Sequence, residues 1–141
     1  MPKTGDYYTV SLKEAHMDWG RHRYTHTRER IEGEGYVQIP KRYAEMYGIH
    51  KGDQFTATFA DGFPSFAARA AGNSTAGDIL AKQFQGDGDL KAFGRWYANS
   101  GAEIGDTVRV TFTAPDVVLF ELLNNSKFQE ATLSLPPEIL K

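Results

Sequence analysis

The sequence contains no cysteine. Disulfide frameworks, thiolate zinc sites, iron–sulfur clusters and cysteine nucleophiles are thereby excluded, and a reducing, cytoplasmic setting is expected. No stretch approaches the roughly 20 apolar residues of a membrane span, and the segment from Met1 to His16 lacks the apolar run of a secretory signal, so no membrane partner is expected. The phosphate-binding G-x-x-x-x-G-K, nucleophile-elbow G-x-S-x-G and dinucleotide G-x-G-x-x-G patterns are missing. Gly33-Glu34-Gly35 and Gly86-Asp87-Gly88 place an acid between glycines, where it repels phosphate. Nor is there an excess of either charge: 16 Lys plus Arg face 18 Asp plus Glu, a formal net charge of −2. That balance excludes a uniformly polybasic binder of nucleic acid or membrane, but not a local patch.

What is present suits a packed core. In 141 residues, 40% are hydrophobic and 13% aromatic, enough for one domain, expected to span residues 1–141. Apolar and polar residues alternate with period 2 in Tyr36–Ile39, Gln54–Phe59 and Thr107–Phe112, the pattern of half-buried strands. Tyr7–Leu12, Ser65–Ala71 and Asp116–Leu123 read as further strands. Helical signal is confined to two short pieces. Lys41–Tyr47 enters after Pro40 and stops at Gly48, while Leu90, Phe93 and Tyr97 fall at i, i+3, i+7. Asp78–Phe84 fits either a short helix capped from Thr75 or a strand bounded by glycines. Short helices among many strands, punctuated by 14 glycines, predict a mainly β fold, a small barrel with helical plugs.

A weak duplication runs through it. Gly48-Ile-His-Lys-Gly-Asp-Gln-Phe-Thr-Ala-Thr-Phe59 aligns without gaps on Gly101-Ala-Glu-Ile-Gly-Asp-Thr-Val-Arg-Val-Thr-Phe112, and each copy follows a helical piece. A Gly-Asp turn supplies positive φ and a carboxylate that bonds nearby backbone, launching a strand whose Phe fills the core. Two such units predict a barrel of two halves with an internal pseudo-two-fold; chance recurrence of a common turn is the competing reading.

Catalytic groups are sparse. His22 and His26 stand four apart with His16 nearby, but the intervening segment is a poor helix and its arginines repel a cation. Asp87, Asp89 and Lys91 imitate a metal-dependent nuclease cluster, although a Gly-rich turn makes solvated acids the simpler reading. No catalytic residue, metal or cofactor is assigned.

The distribution of charge says more than its sum. Between Gly20 and Arg30, Arg21, Arg23, Arg28 and Arg30 oppose Glu29 alone, interleaved with His22, Tyr24 and His26. From Asn99 to Lys141, three cations face six acids. A second polar group holds Arg69, Asn73, Ser74, Thr75, Lys82, Gln83 and Gln85. These residue types bond phosphates and base edges: Arg to guanine, Asn or Gln to adenine, Lys and hydroxyls to phosphate. One basic face turned to nucleic acid and an acidic one turned away fits this segregation. A solvated arginine-rich loop is the alternative.

Gly35-Tyr-Val-Gln-Ile-Pro-Lys-Arg-Tyr-Ala-Glu-Met-Tyr47, a strand, Ile-Pro-Lys and a short helix, resembles the DNA-binding pseudobarrel of plant B-three transcription-factor domains and of the effector domains of some type II restriction endonucleases. Leu90-Lys-Ala-Phe-Gly-Arg-Trp-Tyr-Ala-Asn99 and Gly105-Asp-Thr-Val-Arg-Val-Thr-Phe112 are similar to that family's second helix and Gly-Asp strand, so the resemblance covers roughly residues 24–123. It implies a seven-stranded open pseudobarrel that grips the major groove of double-stranded DNA with two arms. The first arm falls at His26, Arg28, Arg30, Glu32 and Glu34, with Gln38 and Lys41 behind it. The second runs from Arg69 through Asn73, Ser74 and Thr75 to Lys82, Gln83 and Gln85, which favours the strand reading of Asp78–Phe84. Glu32 and Glu34 depart from phosphate contact, though a carboxylate accepts from the cytosine amino group.

The loop chemistry looks bacterial and closer to the restriction-effector branch, which joins its barrel to a catalytic domain, so a separate catalytic subunit or domain is the further partner implied. The expected function is sequence-preferring DNA binding without catalysis. The alternatives are a metal-dependent nuclease and a protein-interaction module that binds no DNA.

Overall fold

The computed structural model of the chain describes residues 2–13, 35–72 and 79–123. They form strands β1 (Tyr7–Ser11), β2 (Val37–Gln38), β3 (Gln54–Phe59), β4 (Phe66–Ala71), β5 (Gln83–Gly86), β6 (Thr107–Ala114) and β7 (Val117–Leu123), with helices α1 (Lys41–Tyr47) and α2 (Ala92–Ser100). One sheet holds all seven strands in the order β1-β6-β7-β3-β4-β5-β2. Its neighbours pair antiparallel except β3 with β7, which run parallel. The mainly β, seven-stranded pseudobarrel expected from the sequence is the fold observed.

Sheet curvature brings the two outermost strands, β1 and β2, together without a ladder between them. Tyr8 Oη on β1 donates to the Gln38 carbonyl on β2 at 2.8 Å. Two more tyrosines reinforce the join: Tyr47 Oη on α1 donates to the Tyr7 carbonyl at 2.7 Å, and Tyr97 Oη on α2 donates to the Tyr36 carbonyl at 2.7 Å. The sheet is therefore nearly closed, and edge carbonyls that would otherwise lack a strand are satisfied by side chains. Burial holds the hydroxyls of Tyr8 and Tyr97 well above the usual phenol range, so both remain neutral donors.

Inside, the inward residues of the strands meet the apolar stripe of α2. Phe59, Phe93, Trp96 and Phe120 pack ring on ring, with Phe59 centred 4.8 Å from Trp96 and 5.6 Å from Phe120. Trp96, Phe93 and Phe120 are fully buried, and the indole N–H is satisfied by Asp61 Oδ2 at 3.1 Å. Large-to-small changes at such rings typically cost about 3–5 kcal/mol.

The duplicated segments fold alike. In one, Asp53 Oδ2 accepts from His50 N at 2.9 Å; in the other, Asp106 Oδ2 accepts from Glu103 N at 2.9 Å. Gly52 and Gly105 carry φ of 93° and 94°, the left-handed region that glycine enters without steric penalty. Each turn then exchanges two backbone bonds with a neighbour. Gly52 N donates to the Ala70 carbonyl and Ala70 N to the Asp53 carbonyl, while Gly105 N donates to the Leu12 carbonyl and Leu12 N to the Asp106 carbonyl. These equivalences map β3 on β6 and β4 on β1, giving the pseudo-two-fold a physical basis.

Some boundaries move. The helix expected at Leu90–Tyr97 is Ala92–Ser100, because Asp89 ties the preceding turn through Lys91 N at 3.2 Å and Ala92 N at 3.2 Å. Its last turn is extended by Ser100 Oγ, which donates to the Trp96 carbonyl at 2.6 Å. The strand expected at Tyr36–Ile39 shortens to Val37–Gln38: the Tyr36 carbonyl accepts from the Tyr97 hydroxyl instead of a strand, and beyond Ile39, whose N–H still donates to the Lys82 carbonyl, Pro40 has no N–H to continue the ladder. Within Asp78–Phe84 the strand reading holds for its end: β5 begins at Gln83, and Leu80 makes only an isolated bridge to His50.

Candidate nucleic-acid interface

Period-2 alternation fixes which side chains of β2, β3, β4 and β5 leave the core. Phe55, Ala57, Ala68, Ala70, Phe84 and Val37 point inward and are buried, so Gln54, Arg69, Gln85, Gln83 and Gln38 point outward. Register then sets them side by side. Gln54 faces Arg69 across β3 and β4, Arg69 faces Gln85 across β4 and β5, and Gln83 faces Gln38 across β5 and β2. Directly opposed side chains on one face lie about 5 Å apart at Cβ, and Gln83 and Gln85, two residues apart on β5, join the two sets, so the row steps across four strands. Ala67 and Ala71 lie on the same face of β4, and their small side chains leave Arg69 standing clear.

Sequence separation hid this grouping. Arg69, Gln83, Gln85 and Gln38, expected on two different arms, belong to one continuous surface. Gln83 Nε2 donates to Gln85 Oε1 at 3.2 Å. Arg69 is exposed and has no ion pair among the described residues. Beside the row, Gln38, Lys41 and Lys82 line a groove of about 510 Å³ together with Ile39, Pro40 and Leu80. Lys41, the first residue of α1, stands 4.0 Å from Glu45 one turn on; both side chains are largely exposed, and such pairs hold a lysine weakly. Arg21, Arg23, His26, Arg28, Arg30, Glu32, Glu34, Asn73, Ser74 and Thr75 lie outside the described residues.

One member of this surface, Gln54, was not singled out by the sequence, and its neighbour Asp87 was weighed there only as part of a nuclease-like cluster. Gln54 sits at an outward strand position that alternation marks plainly, but nothing local connects it with a site. Asp87, 33 residues later, accepts from Gln54 Nε2 at 3.4 Å. Only the β3-β4-β5 register brings them together.

The other acids have different partners. Asp89 is bonded by Arg95, and that guanidinium holds its carboxyl below the usual range. Asp87 and Asp89 thus serve separate partners, and among the described residues no three His, Cys, Asp or Glu side chains gather as metal ligands would. On the far side of the barrel, Arg109 on β6 grips Glu121 on β7 with two bonds, Nε to Oε1 at 3.0 Å and Nη2 to Oε2 at 2.8 Å. That fork lowers the Glu121 carboxyl and raises the guanidinium. Among the described residues no helix is long and apolar enough to cross a membrane.

No family model matches the chain, and no curated protein matches it. Among solved structures it is similar to the N-terminal domain of Helicobacter pylori LlaJI.R1, with a TM-score of 0.52 at 9% sequence identity, over 89% of this chain and 98% of that one. At so low an identity the likeness lies in the fold, a nearly closed, mainly β barrel of seven strands.

Proposed function

We propose that this chain binds double-stranded DNA with sequence preference, placing the outward row of β2, β5, β4 and β3 and its two flanking arms in the major groove. The observation that carries the reading is the row itself. Four glutamines and an arginine without an ion pair among the described residues stand at neighbouring positions of one sheet face. Solvation alone does not call for amides and a guanidinium in register, whereas base edges are bonded by these groups. Fold likeness to a domain of LlaJI.R1, a name of the restriction-enzyme pattern, supports the same direction. Within this reading, Arg21, Arg23, Arg28, Arg30, Lys41 and Lys82 attract phosphate, and catalysis belongs to a separate subunit or domain.

Selection of bound duplexes from a random pool at moderate salt tests the proposal. Enrichment of a short common site is the expected result. Retention of no duplex even at low salt overturns it and favours a protein-interaction module. Replacing Arg28 and Arg30 with Ala should weaken binding to all duplexes and flatten the salt dependence, each lost phosphate contact lowering the slope by about 0.9.

A further inference from the structure

Gln54 adjoins the proposed base-reading surface, and its amide is not free to choose its orientation. An ionised carboxylate only accepts hydrogen bonds, so the contact of 3.4 Å with Asp87 Oδ2 must use the Gln54 Nε2 donor. With one Nε2 hydrogen so used, Gln54 Oε1 is held on the side away from Asp87 and is the acceptor this amide offers to an incoming partner, beside its second N–H. Directly across the β3-β4 ladder stands Arg69, exposed and offering only donors. One rung of the sheet therefore presents a two-donor fork beside a single fixed acceptor.

The major-groove edge of a G·C pair has the matching order. Guanine offers two acceptors, N7 and O6, and the cytosine beside it offers the N4 amino donor. Adenine·thymine does not match: adenine puts an amino donor where the fork needs an acceptor, and thymine puts O4 opposite Gln54 Oε1. We infer that Arg69 and the Asp87-oriented Gln54 together read one G·C base pair, Arg69 taking the guanine and Gln54 the cytosine. This rests on the DNA-binding reading above and adds to it a base pair, a polarity and two residues. Asp87 is a positioning residue here. With Asp116 it lines a shallow dent of about 360 Å³ below Gln54, so the acids lie on this flank and the phosphates are carried on the Arg69 and Lys82 side.

Duplex selection with the full chain and four variants decides the matter. The unaltered chain should enrich a G·C pair at one fixed position. Arg69→Ala should lose that preference and weaken binding to the selected site roughly tenfold, in line with the worth of a bidentate base contact. Asp87→Asn frees the Gln54 amide to turn and accept thymine O4 by its N–H donor, so the preference for G·C over A·T should narrow at that position alone, Arg69 still favouring guanine, while other positions keep their preference. Adding Gln54→Glu to Asp87→Asn restores an acceptor that cannot turn, and the G·C preference should return although total affinity falls. Gln54→Ala should behave as Asp87→Asn does. Of the three side chains altered, Arg69 and Gln54 are exposed and Asp87 is half-buried, and a thermal melt confirms that each variant folds. If Asp87→Asn selects the same sequence as the unaltered chain at every position, the inference is overturned while DNA binding stands. A selected site without any fixed G·C pair has the same effect, and failure of the unaltered chain to retain duplex overturns both.

Discussion

Arg69 and Arg109 both stand at outward positions of one barrel, in strands that adjoin the two equivalent Gly-Asp turns. Arg109 has Glu121 directly across the ladder and is held by it through two bonds. Arg69 has Gln54 on one side and Gln85 on the other, and no carboxylate bonded to it among the described residues. The core imposes nothing on either site, because both side chains leave it. The difference is therefore one of surface chemistry: β7 sets a carboxylate opposite Arg109, whereas β3 and β5 set amides opposite Arg69. One arginine of the duplicated frame is neutralised by its ladder partner and the other is not, among the described residues.

Several substitutions would break or sharpen that contrast. The largest effect belongs to the shared frame. Phe59→Ala and Phe112→Ala occupy equivalent positions and should each cost about 3–5 kcal/mol in chemical denaturation. A wide gap between the two would show that the halves match in backbone but not in energy, with the Phe59 ring cluster the heavier side. Next come the turn acids. Asp106 is buried and Asp53 only partly so, so Asp106→Ala should cost about 1–3 kcal/mol and Asp53→Ala about 1 kcal/mol. Equal costs would mean that burial does not set the worth of these turn bonds.

Smaller still is the test of the arginines themselves. Arg69→Ala should weaken specific duplex binding roughly tenfold and leave the melting temperature unchanged, while Arg109→Ala should leave binding as it was. Reversal of that pattern would place the DNA face on β6 and β7. The smallest effect is an acid limb in stability. The folded-state pKa of Glu121 lies below its ordinary value, so its contribution is present above that ordinary value and is lost as pH falls through the lowered one. Glu121→Gln should remove this limb from the pH profile of unfolding, and persistence of the limb would assign it to other carboxylates, Asp89 first.

Local punctuation made much of the fold legible. Pro40 and Gly48 bound α1 at Lys41–Tyr47, and alternation gave β3 its full extent, Gln54–Phe59. The Gly-Asp repeat carried the pseudo-two-fold, because that turn depends on residues only three apart. Legibility failed where partners are distant. The tyrosine hydroxyls that join β1 to β2 reach carbonyls 30 to 61 residues away, and a hydroxyl in sequence does not name its acceptor. For the same reason the sequence grouped Arg69 with its chain neighbours and Asp87 with Asp89 and Lys91, and missed Gln54, whose meeting with Asp87 depends on register. The helix α2 was displaced by an Asp89 turn that apolar spacing does not see.

The join between β1 and β2 bears on how the molecule could grip. The segment that leaves β1 and returns at β2 is the one expected to form the first arm, so its two stems, near Lys13 and Gly35, flank that join. Along the rest of the barrel, sliding one strand past its neighbour breaks a row of backbone bonds together. Among the described residues the hydrogen bond that links β1 directly to β2 is that of the Tyr8 hydroxyl, worth about 1 kcal/mol, with Tyr47 and Tyr97 bracing each side from the helices. The join is thus the place in the described sheet held by side-chain bonds rather than a ladder, and a pull on an arm of the kind proposed would meet it before the row that holds Arg69.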